Sequence, residues 1–452
     1  MPADSRPRRL PKAALTVVLA LLSGCVQNPN SVFHSRTDFN RDVGGLFELL
    51  IWLGTIVFVF TEVFLVWTLW KYRSRPGKPR MPEQVHGNTK LEILWTIIPA
   101  VVLAVIAIPT VRVIFKTQAA AAADALQVEV IGHQWWWEFR YPQYNFTTAN
   151  EVYLPLGRTV NFALKTQDVL HSFWVPALGG KRDLVNNRTN YIWFTPDSTS
   201  ENAFNGFCAE YCGISHANMR FRAFVVSPEE FASWAAHQQQ PAQTAAAAPA
   251  GGAPPTQGQA PAQPRPSSGP GAQVNPSTPA TDRPTGTTGP ITPSTARPTP
   301  GAVTAQTPSP AQAGFVGLPM ERLPAHTVPQ TPIPESIRFD ASLTGDAGRG
   351  QQLVQRGTCA LCHTIRGVPG VVGRTGPDLT HVATRLTIAG GLFPNDTRHL
   401  AAWIKNARVM KPGVFMNTLG VGQYDPITKS TLTVGLTDQQ VADVVAYLQT
   451  LK

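Results

Sequence analysis

CAEYCGISHANM, residues 208–219, places two thiols, a carboxylate, an imidazole and a thioether in one short loop. Cys208 and Cys212 are four apart, His216 comes four residues later and Met219 three beyond that. Upstream, the run DVLHSFWVP adds His171. Soft thiolate and thioether donors mixed with imidazole suit copper better than calcium or magnesium. A mononuclear blue-copper site needs only one Cys, whereas two thiolates can bridge a pair of copper ions with one His on each. A structural zinc site would have little use for Met219. A copper-delivery protein could use the two Cys and one His alone.

With its flanking motifs, this loop resembles the dinuclear copper A site of subunit II of a haem–copper cytochrome c oxidase. The resemblance implies that Cys208 and Cys212 bridge the coppers and that His171 and His216 each bind one. It implies weak axial ligation by Met219 and the Glu210 carbonyl, with the Glu210 side chain reaching a magnesium ion at the border with subunit I.

A second motif, CALCH, holds Cys359, Cys362 and His363 in the spacing of covalent haem attachment. The thiols would form thioethers to the haem and His363 would become the proximal iron ligand. A zinc site would need a second ligand pair, and no Cys follows. Asp346 to Arg356 reads as a short helix, and Asn395 to Arg408 as another. Thr437 to Gln440 is a capping box opening an amphipathic helix with Val441, Val444, Val445 and Leu448 on one stripe. The run GPDL, residues 376–379, resembles the segment whose proline packs near the proximal His in class I cytochromes c. A Met on the far side of the iron would raise the haem potential. KPGVFM, ending at Met416, resembles the axial-ligand segment of small bacterial cytochromes c, although Asn417 stands where that family has Pro. Met410, at the end of the second predicted helix, reads as packing.

These two motifs use four of the five cysteines and leave none for a structural disulfide. The fifth is Cys25. Residues 1–24 have the charged start and short apolar run of a signal peptide, and Leu22-Ser23-Gly24-Cys25 resembles a lipobox, making Cys25 the acylated mature N-terminus. Two further apolar stretches, 46–70 and 91–115, are long enough to span a membrane. Their connection holds Lys71, Arg73, Arg75, Lys78, Arg80 and Lys90 against one acid, Glu83, so it should be cytoplasmic, with everything after residue 116 outside. Glu62 lies within the first span. Glu92 opens the second, where an acid favours a helix N-terminus. Its run, Glu92-Ile-Leu-Trp95-Thr96-Ile-Ile-Pro99, resembles an oxidase subunit II segment in which the Glu stands at a proton-channel mouth into subunit I.

From 117 to 236 short β-rich runs alternate with turn residues: Leu126–Ile131, Trp135–Tyr141, Thr159–Leu164, Tyr191–Phe194 and Arg220–Val226. This spacing predicts a sandwich or barrel, and the resemblance implies a cupredoxin-like one, with His171 and the 208–219 segment on loops that converge at one end. In Gly132-His-Gln-Trp135-Trp136-Trp137, neighbours on a strand face opposite ways, so the three Trp cannot share one core. By the resemblance, Trp135 is the aromatic through which electrons arrive.

Between Gln238 and Gly314 there is no aromatic residue, and Pro, Ala, Gln, Thr and Ser dominate. Such a composition cannot bury enough apolar surface to fold, so 237–335 reads as a disordered linker on which a cytochrome c domain, 336–452, could visit the copper domain and swing away. The copper domain carries net −3 and the cytochrome domain +5, a pairing that steers encounter. The chain's net charge of +10 marks no nucleic-acid partner, because no basic stripe lies on a recognisable nucleic-acid fold.

The expected architecture is therefore a two-helix transmembrane hairpin, an all-β copper domain, a linker and an all-α cytochrome c domain. The whole resembles subunit II of a caa-type oxidase in a bacterial cytoplasmic membrane. Its implied partners are subunits I and III and a donor such as a quinol–cytochrome c reductase or a soluble cytochrome c. A nitric oxide reductase subunit with copper A and a stand-alone electron-transfer protein are the competing readings.

Overall fold

The computed structural model describes residues 30–73, 84, 86–197, 201–242, 314–340 and 342–452. The signal-peptide segment, Cys25, most of the basic interhelical loop and residues 243–313 of the expected linker lie outside the described residues.

Two helices, α1 (Asp38–Tyr72) and α2 (Thr89–Gln118), are long and apolar enough to cross a membrane. Both run beyond the apolar stretches that announce them, because polar caps rather than hydropathy set their ends. The Thr37 side chain accepts from the Asn40 amide at the start of α1, and its hydroxyl donates to the Leu178 carbonyl at 2.6 Å. Asn40 donates to the Pro176 carbonyl at 2.7 Å, and Asp38 accepts from the Thr195 amide at 2.9 Å. At the end of α2, Lys116 pairs with Asp42, and the Trp193 indole donates to the Ala119 carbonyl. The hairpin is thereby fastened directly to the β domain.

That domain has ten strands: β1 (Leu126–His133), β2 (Trp136–Tyr141), β3 (Phe146–Ala149), β4 (Glu151–Pro155), β5 (Val160–Thr166), β6 (His171–Trp174), β7 (Arg182–Leu184), β8 (Asn190–Phe194), β9 (Ala203–Cys208) and β10 (Arg220–Val226). They form two five-stranded sheets, β3-β2-β1-β5-β8 and β4-β10-β9-β6-β7. Buried aromatic residues fill the space between them, with Phe221 meeting Phe173 at 5.0 Å and Trp137 at 5.4 Å between ring centroids. This is the cupredoxin-like sandwich expected. Helix α3 (Pro228–Gln239), opened by a Ser227–Glu230 capping box, lays Phe231 and Trp234 onto it.

The C-terminal domain is helical, with α4 (Ala347–Arg356), α5 (Cys359–Cys362), α6 (Thr397–Met410) and α7 (Asp438–Leu448). It also carries two short antiparallel ladders, β11–β12 (Thr387–Ile388 with Phe393–Pro394) and β13–β14 (Tyr424–Asp425 with Ser430–Thr431). The Thr437–Gln440 capping box forms as predicted. Helices α4 and α7 cross closely, and Arg349 beside buried Asp443 holds that carboxyl down at about 2.

The expected linker boundaries need correction at both ends. Residues 315–328 run along the copper domain. There the Leu318 amide donates to the Tyr153 hydroxyl at 3.0 Å, Arg322 pairs with Glu230, and the Thr327 carbonyl accepts from Arg222. Phe315, Leu318 and Leu323 supply the apolar contacts there. At the other end, the Gln238 and Gln240 carbonyls accept from Arg366 and His381 of the cytochrome domain.

The two folded domains also touch directly. Glu151, buried on β4, accepts at one oxygen from the Leu386 and Thr387 amides, both at 2.9 Å, and from the Thr387 hydroxyl at 3.1 Å. Arg222 on β10 donates to the Gly391 carbonyl at 3.1 Å. Burial raises Glu151 to about 7, against the opposing pull of Arg385. A carboxyl raised on docking binds more protons docked than free between about pH 4.5 and 7, so its contribution is full below the lower value and is lost as pH rises through 7. Hydrogen exchange at Leu386 and Thr387, corrected for intrinsic rate, should therefore show falling protection from pH 5 towards pH 8. Glu151→Gln keeps an acceptor oxygen but cannot titrate, and should flatten that dependence.

Candidate copper and haem sites

Five side-chain donors and one backbone carbonyl converge at one end of the sandwich. His171 is the first residue of β6 rather than a loop residue, Cys208 ends β9, and Phe173 pairs across the ladder with Cys208. The segment from Ala209 to Met219 then loops back into β10. The Cys208 and Cys212 sulfurs are 3.7 Å apart. His171 presents Nδ1 to Cys208 Sγ at 3.8 Å, and His216 presents Nδ1 to Cys212 Sγ at 3.7 Å. The Met219 sulfur lies 3.7 Å from Cys212 Sγ, and the Glu210 carbonyl 3.2 Å from Cys208 Sγ. Each imidazole thus serves a different sulfur, with one further soft or carbonyl donor beside each. That donor chemistry fits a pair of copper ions and gives zinc no use for the thioether.

The two thiols are hydrogen-bonded to each other. The bond from Cys212 is the largest cause holding Cys208 below its usual pKa, and the same bond raises Cys212. Ligation must displace the thiol proton, so metal loading is linked to pH. The Glu210 side chain stands at the surface beside exposed Tyr211.

Several supporting residues escaped the sequence reading. His171 is fully buried, and its Nε2–H donates to Asp168 at 2.8 Å, which fixes the ring with Nδ1 towards the sulfurs. Burial opposes charging of His171, but the bonds to Asp168 and Cys208 prevail and raise its pKa. Gly132 is required by close approach, since a Cβ there would lie 2.7 Å from the His171 ring. The DxxH spacing of Asp168 and His171 was the one available signal; it is too common in loops to have been singled out.

Cys359, Cys362 and His363 line a cavity of about 240 Å³, together with Leu379, Trp403 and Met416. His363 Nδ1–H donates to the Pro377 carbonyl at 2.8 Å, leaving Nε2 as the ligating nitrogen. Burial keeps this imidazole below its usual pKa, which favours the neutral, ligating form. Paired thiols, an oriented imidazole and a thioether on an apolar wall fit a covalently held haem. Met410 instead sits in the domain core, 6% exposed.

The same cavity is bordered by Trp135 and Phe415. Their rings stack with centroids 6.1 Å apart and planes 13° off parallel. The Trp135 indole N–H donates to the Cys212 carbonyl at 3.0 Å, and the Gln134 side-chain amide donates to the same oxygen at 2.8 Å. Lys411, buried, donates to the Trp135 carbonyl at 2.7 Å, and burial pushes it down to about 7. Of the three consecutive Trp, Trp137 lies in the core, Trp136 stacks on His133 at 4.1 Å, and Trp135 is covered by the cytochrome domain. Glu92 accepts from the Asn88 amide at 3.3 Å, as an acid in the first turn of α2.

Fold and site together define a membrane-hairpin protein with a cupredoxin-like domain and a C-terminal cytochrome c domain. Residues 34–113 match the transmembrane domain of cytochrome c oxidase subunit II, residues 144–226 its periplasmic domain, and residues 347–452 cytochrome c. The "Cytochrome c oxidase subunit 2" of Alkalihalophilus pseudofirmus is 41% identical over 194 residues, 42% of this chain and 56% of that one. That of Bacillus subtilis is 36% identical over 237 residues, 49% of this chain and 65% of that one, so the matches span roughly half to two thirds of these relatives. The "Probable cytochrome c oxidase subunit 2" of Rickettsia bellii is 31% identical over 210 residues, 42% of this chain and 76% of its own length. The chain belongs to the cytochrome c oxidase subunit II family.

Asp168→Asn should keep the sandwich folded while weakening copper affinity by about ten- to a hundredfold, the usual effect of losing a carboxylate behind a metal-bound His. Competitive chelator titration of the purified protein measures this.

Proposed function

We propose that this chain is subunit II of a proton-pumping cytochrome c oxidase that carries its own cytochrome c. Cys208 and Cys212 would bridge the copper pair, His171 and His216 would each hold one ion, and Met219 and the Glu210 carbonyl would be the weak axial donors. Cys359 and Cys362 would anchor the haem, with His363 and Met416 as its axial ligands. When bound, these groups supply one-electron carriage, in the order haem c, copper A, then the haem of subunit I, where dioxygen is reduced to water.

The chain's own residues set the path. Trp135 supports the reading most directly, because it stacks on Phe415 of the haem-bearing loop and bonds to the carbonyl of a candidate copper ligand. Asp168 and Pro377 hold the His171 and His363 imidazoles in ligating orientation. The β ladder holds His171 and Cys208 in fixed register, which keeps movement small when charge changes. We place both folded domains on the outer face of a bacterial cytoplasmic membrane, with subunits I and III as partners. A quinol–cytochrome c reductase or soluble cytochrome c is the proposed donor. The Glu210 carboxylate is proposed as a magnesium ligand at subunit I, Glu92 as a proton-channel entrance and Cys25 as a lipidation site.

Cys212→Ser in the assembled oxidase should reduce oxygen consumption, with reduced haem c as the electron source, to the rate of copper-depleted enzyme. It should also abolish the near-infrared band and the multi-line EPR signal of a mixed-valence copper pair. Parental turnover in that variant would refute the proposed path. Met416→Leu should leave haem attached through Cys359 and Cys362 but lower its reduction potential, since Met/His ligation raises it. Met410→Leu should leave that potential in place; spectroelectrochemistry separates the two.

A further inference from the structure

We propose that Lys411 is a positioning residue that sets the spacing between the haem-bearing loop and the copper ligands, holding the cytochrome domain in one docked place. The inference rests on the electron path proposed above and goes beyond it.

Lys411 begins the run Lys-Pro-Gly-Val-Phe-Met that ends at Met416. It is 1% exposed. Both acceptors of its ammonium are backbone carbonyls: Trp135 of the copper domain at 2.7 Å and Ala389 of its own domain at 3.0 Å. Burying an ammonium is costly, and its packing role alone could be met by an apolar side chain. What an apolar residue cannot do is grip a carbonyl on each side of the seam with one atom. A Cβ on Gly390 would come within 2.8 Å of Nζ, so the glycine leaves the room that the ammonium occupies.

Around this grip, the rest of the run follows the copper loop. The Ser215 hydroxyl donates to the Pro412 carbonyl. Gly413, at φ +94, brings its backbone against the Trp135 ring and Ile214, where a Cβ would sit 3.0 Å from the ring. Phe415 then stacks on Trp135. Trp135 is therefore held at both ends: its carbonyl by the cytochrome domain through Lys411, its indole by the copper domain through Cys212. Removing Lys411 frees one end and leaves the Trp135 carbonyl buried without this donor.

Two experiments on the full chain in the assembled oxidase test this. In the first, haem c is reduced by a light-triggered donor and oxidation is followed at the copper band. Lys411→Met should slow electron transfer from haem c to copper A by about tenfold or more, the scale of effect expected from small misplacement, while both absorption spectra keep their shape. A rate within about twofold of the parent would overturn the proposal. The second needs no variant and no turnover. Treated with an amine-reactive ester, the parent should label exposed Lys429 and spare Lys411; labelling of Lys411 as fast as Lys429 would show a domain that swings free, and would overturn the proposal. If the parent showed haem c and copper A spectra but no transfer between them, the electron path would fail, and this inference with it. Normal transfer in both parent and variant would sink the inference alone.

Discussion

The indole N–H of Trp135 is bonded to the carbonyl of Cys212, and much of the molecule is arranged around that bond. Cys212 contributes its sulfur to the copper-type donor set and its backbone oxygen to an aromatic ring. The same residue therefore belongs to the candidate metal site and to the surface against which the cytochrome domain rests. Gly213 makes this possible, since at φ +111 it turns the chain away and a Cβ there would crowd the indole at 3.0 Å. One sheet holds the other half of the candidate site, His171 and Cys208, on its adjacent strands β6 and β9. A rigid sandwich on one side and a packed loop on the other leave Trp135 little freedom to move.

Much of this was legible in the chain. The donor spacing of 208–219, the CALCH motif and the two apolar stretches each carry a physical requirement that few other arrangements satisfy. The strands at Leu126, Arg220 and near Tyr191 were set by β-rich runs between turns and appear within a residue or two of expectation. The resemblance of KPGVFM to an axial-ligand segment points to Met416 rather than Met410, and Met416 lines the cavity while Met410 lies in the core. What stayed hidden was long-range. Nothing in the neighbourhood of Glu151 signals that its partners are Leu386 and Thr387, and a lone Lys before a proline gives no hint of burial. The linker expected over 237–335 runs past Phe315, where apolar side chains resume and pack on the copper domain.

The opposite net charges of the two folded domains suggested a loose, steered encounter. The structure places charge differently: Glu151, Arg222 and Lys411 are buried at the seam, and each is hydrogen-bonded to at least one backbone group of the other domain. Hydrogen bonds to fixed peptide groups have a narrow geometric tolerance and are little screened by salt where they are buried. Long-range charge would speed approach, whereas these contacts select one orientation out of the many that approach allows.

Helix α1 has 35 residues, about 52 Å at 1.5 Å each, against a hydrocarbon layer of about 30 Å. Its first turn is bolted to the sandwich through Thr37, Asp38 and Asn40. The helix is in effect a stilt with one end welded. In a bilayer, thickening or thinning of the lipid would be taken up by sliding or tilt at the far foot, so the distance from the candidate metal site to the start of the helix would be set by peptide geometry and not by the fat around it.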